Sequence, residues 1–160
     1  MVRRATGGPG YRAIPLRHDH FVAAAPRGHP HAAPAGQPLD LAELAADPWV
    51  WIPRGISPGY HDEAVTACRQ AGFSPHARHQ ATTIDTPLAM VACGIGVAIA
   101  PSLVAAGRPD LATRRLREPA PIVALSLLVG EEPDPLVEHF VPTVSSAVHL
   151  REDLQRTHAS

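Results

Sequence analysis

Apolar and polar positions along this chain follow two periods, and the switch between them marks the elements. Ala13–Arg17 and His20–Ala25 read as strands, and Trp49–Ile52 is a short, wholly apolar run of strand length. Ile95–Ala100 is a β-branched run and reads as a buried strand. Ala112–Leu116 and Ile122–Val129 predict two more strands, and residues 75–83 an extended segment. Between these runs the period lengthens. Tyr60, Ala64, Ala67, Cys68 and Ala71 share one face of a helix, and Val137, Val141, Val144 and Val148 share one side of another.

Local punctuation fixes where the helices begin and end. Asp40 is placed to cap a short helix, with Glu43 three residues on as in a capping box, and Pro48 ends it. Ser57-Pro58, Thr86-Pro87 and Asp134-Pro135 each pair a capping side chain with proline at the first helical position. Gly72 and Gly94 supply left-handed stops. Asp62 and Glu63 lie near the positive end of the helix after Ser57, and Arg69 near its negative end. Pro142, inside the last helix, removes a hydrogen bond and is expected to bend it. Residues 1–13 read as a Gly- and Arg-rich loop, and residues 26–38, with four prolines, as another. Strands alternating with helices predict an α/β domain with a largely parallel sheet.

Composition then narrows the function classes. The chain has 160 residues, enough for one domain, with 45% hydrophobic and 18% charged residues. A net charge of −1 gives no electrostatic footprint for nucleic acid. All 14 cationic Lys/Arg positions are arginine, so neither a Schiff-base lysine nor a P-loop lysine exists. Cys68 and Cys93 form no C-x-x-C pair, and both are expected to be buried, reduced thiols. No apolar stretch reaches membrane-spanning length and no signal-peptide core is seen, so a cytoplasmic location is expected.

Several motifs taken together resemble a known family. They are Phe21-Val-Ala-Ala-Ala-Pro26, Gly28-His29-Pro30, Leu39-Asp-Leu-Ala-Glu-Leu44, Trp49-Val-Trp-Ile-Pro53, the helix of Ser57–Gly72, and Val91-Ala-Cys-Gly-Ile-Gly-Val-Ala-Ile-Ala-Pro101. In this order and spacing they resemble the effector-binding domain of LysR-type transcriptional regulators. The resemblance implies a type 2 periplasmic-binding-protein-like α/β fold: two lobes joined by two crossing strands, with a small-molecule effector in the cleft. Phe21–Ala25 and Val97–Pro101 would be the crossings. Residues 26–96 would be a complete second lobe, and residues 1–25 and 97–160 what remains of the first. The family places a winged helix-turn-helix and the opening of the first lobe before this point. The expectation is therefore a truncated regulator that does not itself bind DNA and whose usual homo-oligomer is in doubt, because the family packs the Ser57–Ala71 helix on a partner's first-lobe helix.

The sharpest candidate site is the loop Arg54-Gly55-Ile56-Ser57, which joins a strand's carboxyl end to a helix N-terminus. The Ser57 hydroxyl, the N–H groups of Gly59 and Tyr60 and the helix dipole favour a negative group, and Arg54 offers a bidentate clamp. An ordinary N-cap beside a solvated arginine is the alternative. Gln80, Thr82 and Thr83 sit where the family lines its cleft; alternation puts Gln80 and Thr82 on one face, and a plain surface strand end is the competing reading.

Other constellations carry less. His18-Asp-His20 and His29-Pro-His31 lack the third and fourth ligands of a metal site, so they are expected to be solvated, with His29 in a turn role. Gly94-Ile-Gly96 is no dinucleotide fingerprint, since a helix precedes it and Ile99 fills the third glycine position. Arg114, Arg115 and Arg117 read as a solvated strand edge. No catalytic residue, cofactor or metal is implied, and an enzyme is not expected. The function expected is sensing of a small, anionic effector by a regulatory domain. The alternatives are a solute-binding protein of the same fold, which needs an export signal, and a non-functional gene fragment.

Overall fold

The computed structural model of the chain describes residues 10–32, 36–83 and 86–157. Its strands are β1 (Tyr11–Pro26), β2 (Trp49–Trp51), β3 (Ala77–Gln80), β4 (Ala98–Pro101), β5 (Leu111–Arg115) and β6 (Ile122–Gly130). Its α-helices are α1 (Pro58–Gln70), α2 (Thr86–Ala92), α3 (Ser102–Ala105) and α4 (Pro135–Thr157), with 3-10 turns at Pro30–Ala32 and Leu41–Leu44. Compactness divides the chain into two units. One comprises Asp19–Val123, the other Met1–His18 with Ala124–Ser160.

In the Asp19–Val123 unit β1 is central. β4 pairs antiparallel on one side (Phe21 opposite Pro101, Ala24 opposite Ala98) and β5 antiparallel on the other (Val22 opposite Arg115, Pro26 opposite Leu111). β2 and β3 form a parallel pair, and Trp49 bridges Val97 in parallel. The strands therefore form an antiparallel group around β1 and a separate parallel pair, β2–β3, joined to it by the Trp49–Val97 bridge, rather than one largely parallel sheet. The pattern of apolar runs reports burial on both faces but not strand direction, which the connections decide.

Period-two geometry explains the apolar runs. Phe21, Ala23, Ala25, Trp49, Trp51, Val97 and Ile99 turn to one face and pack with Leu39, Leu41, Leu44, Leu116 and the α1 residues Ala64, Ala67 and Cys68. Val22, Ala24, Val50, Ala98 and Ala100 turn to the other and pack with Leu88, Val91, Ala105 and Leu111. One layer of strands thus separates two hydrophobic cores. Trp49 is fully buried, and its indole N–H donates to the Leu44 carbonyl at 3.1 Å, so the largest side chain of the core leaves no polar atom unpaired.

Three of the local signals are seen as expected. The Asp40 carboxylate accepts from the Ala42 N–H at 3.0 Å, and the Glu43 carboxylate accepts from the Asp40 N–H at 3.2 Å. Gly72 closes α1 at φ 85°, with the Phe73 N–H donating to the Cys68 carbonyl. The Asp134 carboxylate accepts the Leu136 N–H at the start of α4.

Other expectations are corrected. β1 runs unbroken through the two strands expected and begins at Tyr11, inside the anticipated loop; the rest of that loop, residues 1–9, lies outside the described residues. β4 begins only at Ala98, because Val97 is spent bridging Trp49. Cys68 is buried, its thiol pushed up to about 12 by loss of hydration, but Cys93 is exposed. Arg114 is no solvated edge: it is 8% exposed, and its guanidinium donates to the carbonyls of His31, Gln37 and Pro38, fastening the proline-rich loop onto β5. Of its neighbours, Arg115 is exposed and Arg117 lies 3.9 Å from the Asp40 carboxylate.

In the other unit, Glu131 N–H donates to the Gly10 carbonyl at 3.0 Å and Arg12 pairs with Glu138 at 3.5 Å. Leu16 and Val129 are its buried apolar side chains among the described residues, whereas Tyr11, Leu125, Leu128, Leu136, Val137 and Phe140 are exposed.

Gly96 has a structural reason of its own. A Cβ there would meet the Pro48 carbonyl oxygen at 2.1 Å, where Val97 N–H donates to that same oxygen. Gly96→Ala is therefore expected to lower stability by about 2–3 kcal/mol in urea titrations, while Gly55→Ala, with open space at its Cβ position, should change it by less than about 1 kcal/mol.

Candidate functional site

The carboxyl end of β2 and the return strand β4 meet the first turn of α1 beside a cavity of about 250 Å³. Its wall is built by Ile52 after β2, Ile99–Pro101 of β4, Pro87 and Leu88 of α2, Val104 of α3, Val123 of β6, and Ser57 and Tyr60 at the start of α1. These residues come together because β2 and β4 end on the same side and three helices begin there. This is the crevice geometry in which open α/β sheets hold ligands.

Two polar side chains face this apolar wall. Tyr60 has its hydroxyl committed, donating to the Ile99 carbonyl, and its ring packs on Phe21 at 5.5 Å between centroids. Burial raises its phenol pKa well above the ordinary value. Ser57 occupies the N-cap position of α1, with Pro58 next, but its side chain makes no capping hydrogen bond. That differs from the expected capping hydroxyl, and it leaves the Oγ unspent on its own helix. Helix geometry also leaves the first-turn N–H groups without intrahelical partners.

The remaining predicted residues lie outside this lining. Arg54 is exposed and forms a two-pronged pair with Asp62, Nε to Oδ1 at 2.9 Å and Nη2 to Oδ2 at 3.1 Å. The hydrogen bond from Arg54 lowers the Asp62 pKa and raises that of Arg54. Gly55 and Ile56 form the exposed turn before Ser57, with Ile56 N–H donating to the Pro53 carbonyl at 3.0 Å. Gln80 ends β3 opposite Trp51, and both Gln80 and Thr82 are exposed while Ala81 between them is buried, as alternation requires. Thr83 is exposed, and its hydroxyl is bonded to that of Thr86 at the start of α2.

Three features were missed from the sequence. Asp19 is 3% exposed; its carboxylate accepts from the Ser102 hydroxyl and the Leu103 N–H, anchoring the short helix that brings Val104 to the cavity. Apart from the N–H of the adjacent His20, its partners lie more than eighty residues away, so no local motif announces the anchor. The α3 helix itself went unpredicted, being one turn long. His29 is more than a turn residue: its Nε2 meets the Asp47 carboxylate at 3.1 Å and its Nδ1 accepts the His31 N–H, while His31 lies 3.2 Å from Glu43.

Comparison with known proteins now gives the class. Residues 2–148 match the model of the LysR substrate binding domain, and the chain belongs to that family. It is 34% identical over 89 residues, 56% of its length and 30% of the other's, to the HTH-type transcriptional regulator CatR of Pseudomonas putida. It superposes on full-length CbnR in complex with its target DNA with a TM-score of 0.71 at 26% identity, covering 92% of this chain and 52% of that one. It also superposes on the effector binding domain of a BenM variant with a TM-score of 0.74 at 17% identity, covering 94% and 70%; this second likeness shows the fold alone. The fold is the type 2 periplasmic-binding-protein-like α/β fold that the motifs implied. The chain spans between 25% and 46% of the length of the curated relatives it matches. Family members are transcriptional regulators rather than enzymes.

Tyr60→Phe should separate the two roles of that hydroxyl. Unfolded tyrosine ionises near pH 10. The raised folded pKa keeps Tyr60 protonated there, so its contribution is complete below about pH 10 and is lost as pH rises through the window above it. The variant is expected to be about 1 kcal/mol less stable at pH 7 and to show a flatter alkaline decline in urea midpoints measured from pH 8 to 11.

Proposed function

We propose that this chain is the effector-sensing region of a LysR-type transcriptional regulator acting in the cytoplasm. A small molecule enters the cavity beside Ser57, and its differential affinity for two arrangements of the domain shifts the population that controls transcription. The observation that supports this most is the position of the cavity, at strand carboxyl ends and a helix N-terminus within a chain that matches the family model over residues 2–148.

The effector carries a carboxylate or another negative group. Ser57 Oγ and the first turn of α1 receive it, with the backbone of Gly55 and Ile56 beside them and Gln80, Thr82 and Thr83 on the strand ends nearby. Arg54 adds a guanidinium only if it releases Asp62, with which it is already paired in both prongs. The partner of this region is thus a small molecule; DNA contact and subunit assembly belong to the regulator as a whole.

The test is calorimetric titration and thermal melting of the chain against a panel of small organic acids. A ligand at one hundred times its Kd should stabilise the fold by about 2.7 kcal/mol. Ser57→Ala should weaken the best ligand by about tenfold, as loss of one hydrogen bond to a charged group implies. Equal affinity of Arg54→Ala and wild type would remove Arg54 from the site. The absence of any stabilising acid would overturn the reading.

A further inference from the structure

We infer that the effector presents a compact apolar body, a single ring or a branched alkyl group, to the cavity wall and carries one polar group, placed at Ser57. This rests on the ligand-sensing reading and deepens it. The wall of the cavity away from α1 is hydrocarbon: Ile52, Leu88 and Ile99 are buried side chains, and Val104 is half-buried against them. Of the two hydroxyls in the lining, that of Tyr60 is already donated to the Ile99 carbonyl, so Ser57 supplies the available side-chain hydroxyl.

A compact diacid fits this wall poorly. Its second carboxylate would lose hydration against Ile52, Leu88 and Val104 with no side-chain donor of the lining to replace the water. Arg54, the nearest cation in sequence, is already paired with Asp62 and does not line the cavity. An apolar body meets the opposite energetics, because each buried methylene tightens binding by about fourfold. Size agrees: an apolar cavity of roughly 150 Å³ admits benzene, and this one, at about 250 Å³, has room for one ring and a substituent.

The experiment titrates the chain calorimetrically with cyclohexanecarboxylate, acetate and succinate, and repeats the first titration on Val104→Thr and Val104→Phe. Val104→Thr keeps the side-chain shape while adding a hydroxyl, and Val104→Phe fills the space from a half-buried position; thermal melts establish that each variant is folded. The expected result is cyclohexanecarboxylate binding at least tenfold tighter than acetate or succinate, several-fold weaker in Val104→Thr and at least tenfold weaker in Val104→Phe. Succinate or acetate binding as tightly as the ring acid, or unchanged affinity in both folded variants, would overturn the inference while leaving ligand sensing intact. No heat with any of the three, together with no stabilising acid in the wider panel, would overturn both.

Discussion

The structure depends on one constraint: the strands Phe21–Ala25 and Ala98–Ala100 must bury side chains on both faces at once. A strand with a single buried face can alternate apolar and polar residues; these cannot. Phe21, Ala23 and Ile99 commit to the core under α1, while Val22, Ala24, Ala98 and Ala100 commit to the core under α2. A slip of one residue in the pairing of β1 with β4 would exchange the two sets and force Phe21 into space shaped for alanine and valine. Register, and with it the position of the Ile99 carbonyl and of Pro101, is therefore fixed by packing on two sides.

The cavity inherits that precision. Its wall contains Ile99–Pro101, where the doubly buried strand runs out, and Tyr60 ties α1 to the same strand by donating to the Ile99 carbonyl. Asp19, just beyond the Phe21–Pro101 pair at the same end of the paired region, holds Ser102 and Leu103 and so sets the helix that supplies Val104. Gly96 lets the chain pass against Pro48 and brings Val97 into line with Trp49. Each of these contacts spans a long stretch of sequence, and together they place one free serine hydroxyl and an apolar wall around the same space. The other unit is built differently, with Leu125, Leu128, Leu136 and Phe140 exposed.

What could be read from the sequence follows the range of the interactions involved. The box between Asp40 and Glu43, the Gly72 stop and the Asp134-Pro135 start each involve residues a few positions apart, and each is seen. The family motifs added the fold and marked Phe21–Ala25 and Val97–Pro101 as crossing strands, without their direction; Phe21–Ala24 lies antiparallel beside Ala98–Pro101. Of the cavity lining, Ser57 alone stood among the candidate site residues, because a strand end followed by Ser-Pro is a local signal; Arg54, Gly55 and Ile56 lie outside it. The wall was not legible: Ile52, Leu88, Ile99 and Val104 carry the same hydrophobic pattern as any core residue, and only folding shows that they surround open space. Arg114 misled and Asp19 went unnoticed for the complementary reason, since the burial of a charged residue shows only once its distant carbonyl or N–H partners are known.

The central claim, that the doubly buried strand pair is the rigid element on which the cavity is built, is tested most directly by native-state amide hydrogen exchange in increasing denaturant. The amides within Val22–Ala24 and Ala98–Ala100 should exchange only by global unfolding, with protection that falls along the same slope as the urea melt. Exchange of those amides through local opening, independent of denaturant and as fast as that of the amides in Tyr11–Arg17, would contradict the account.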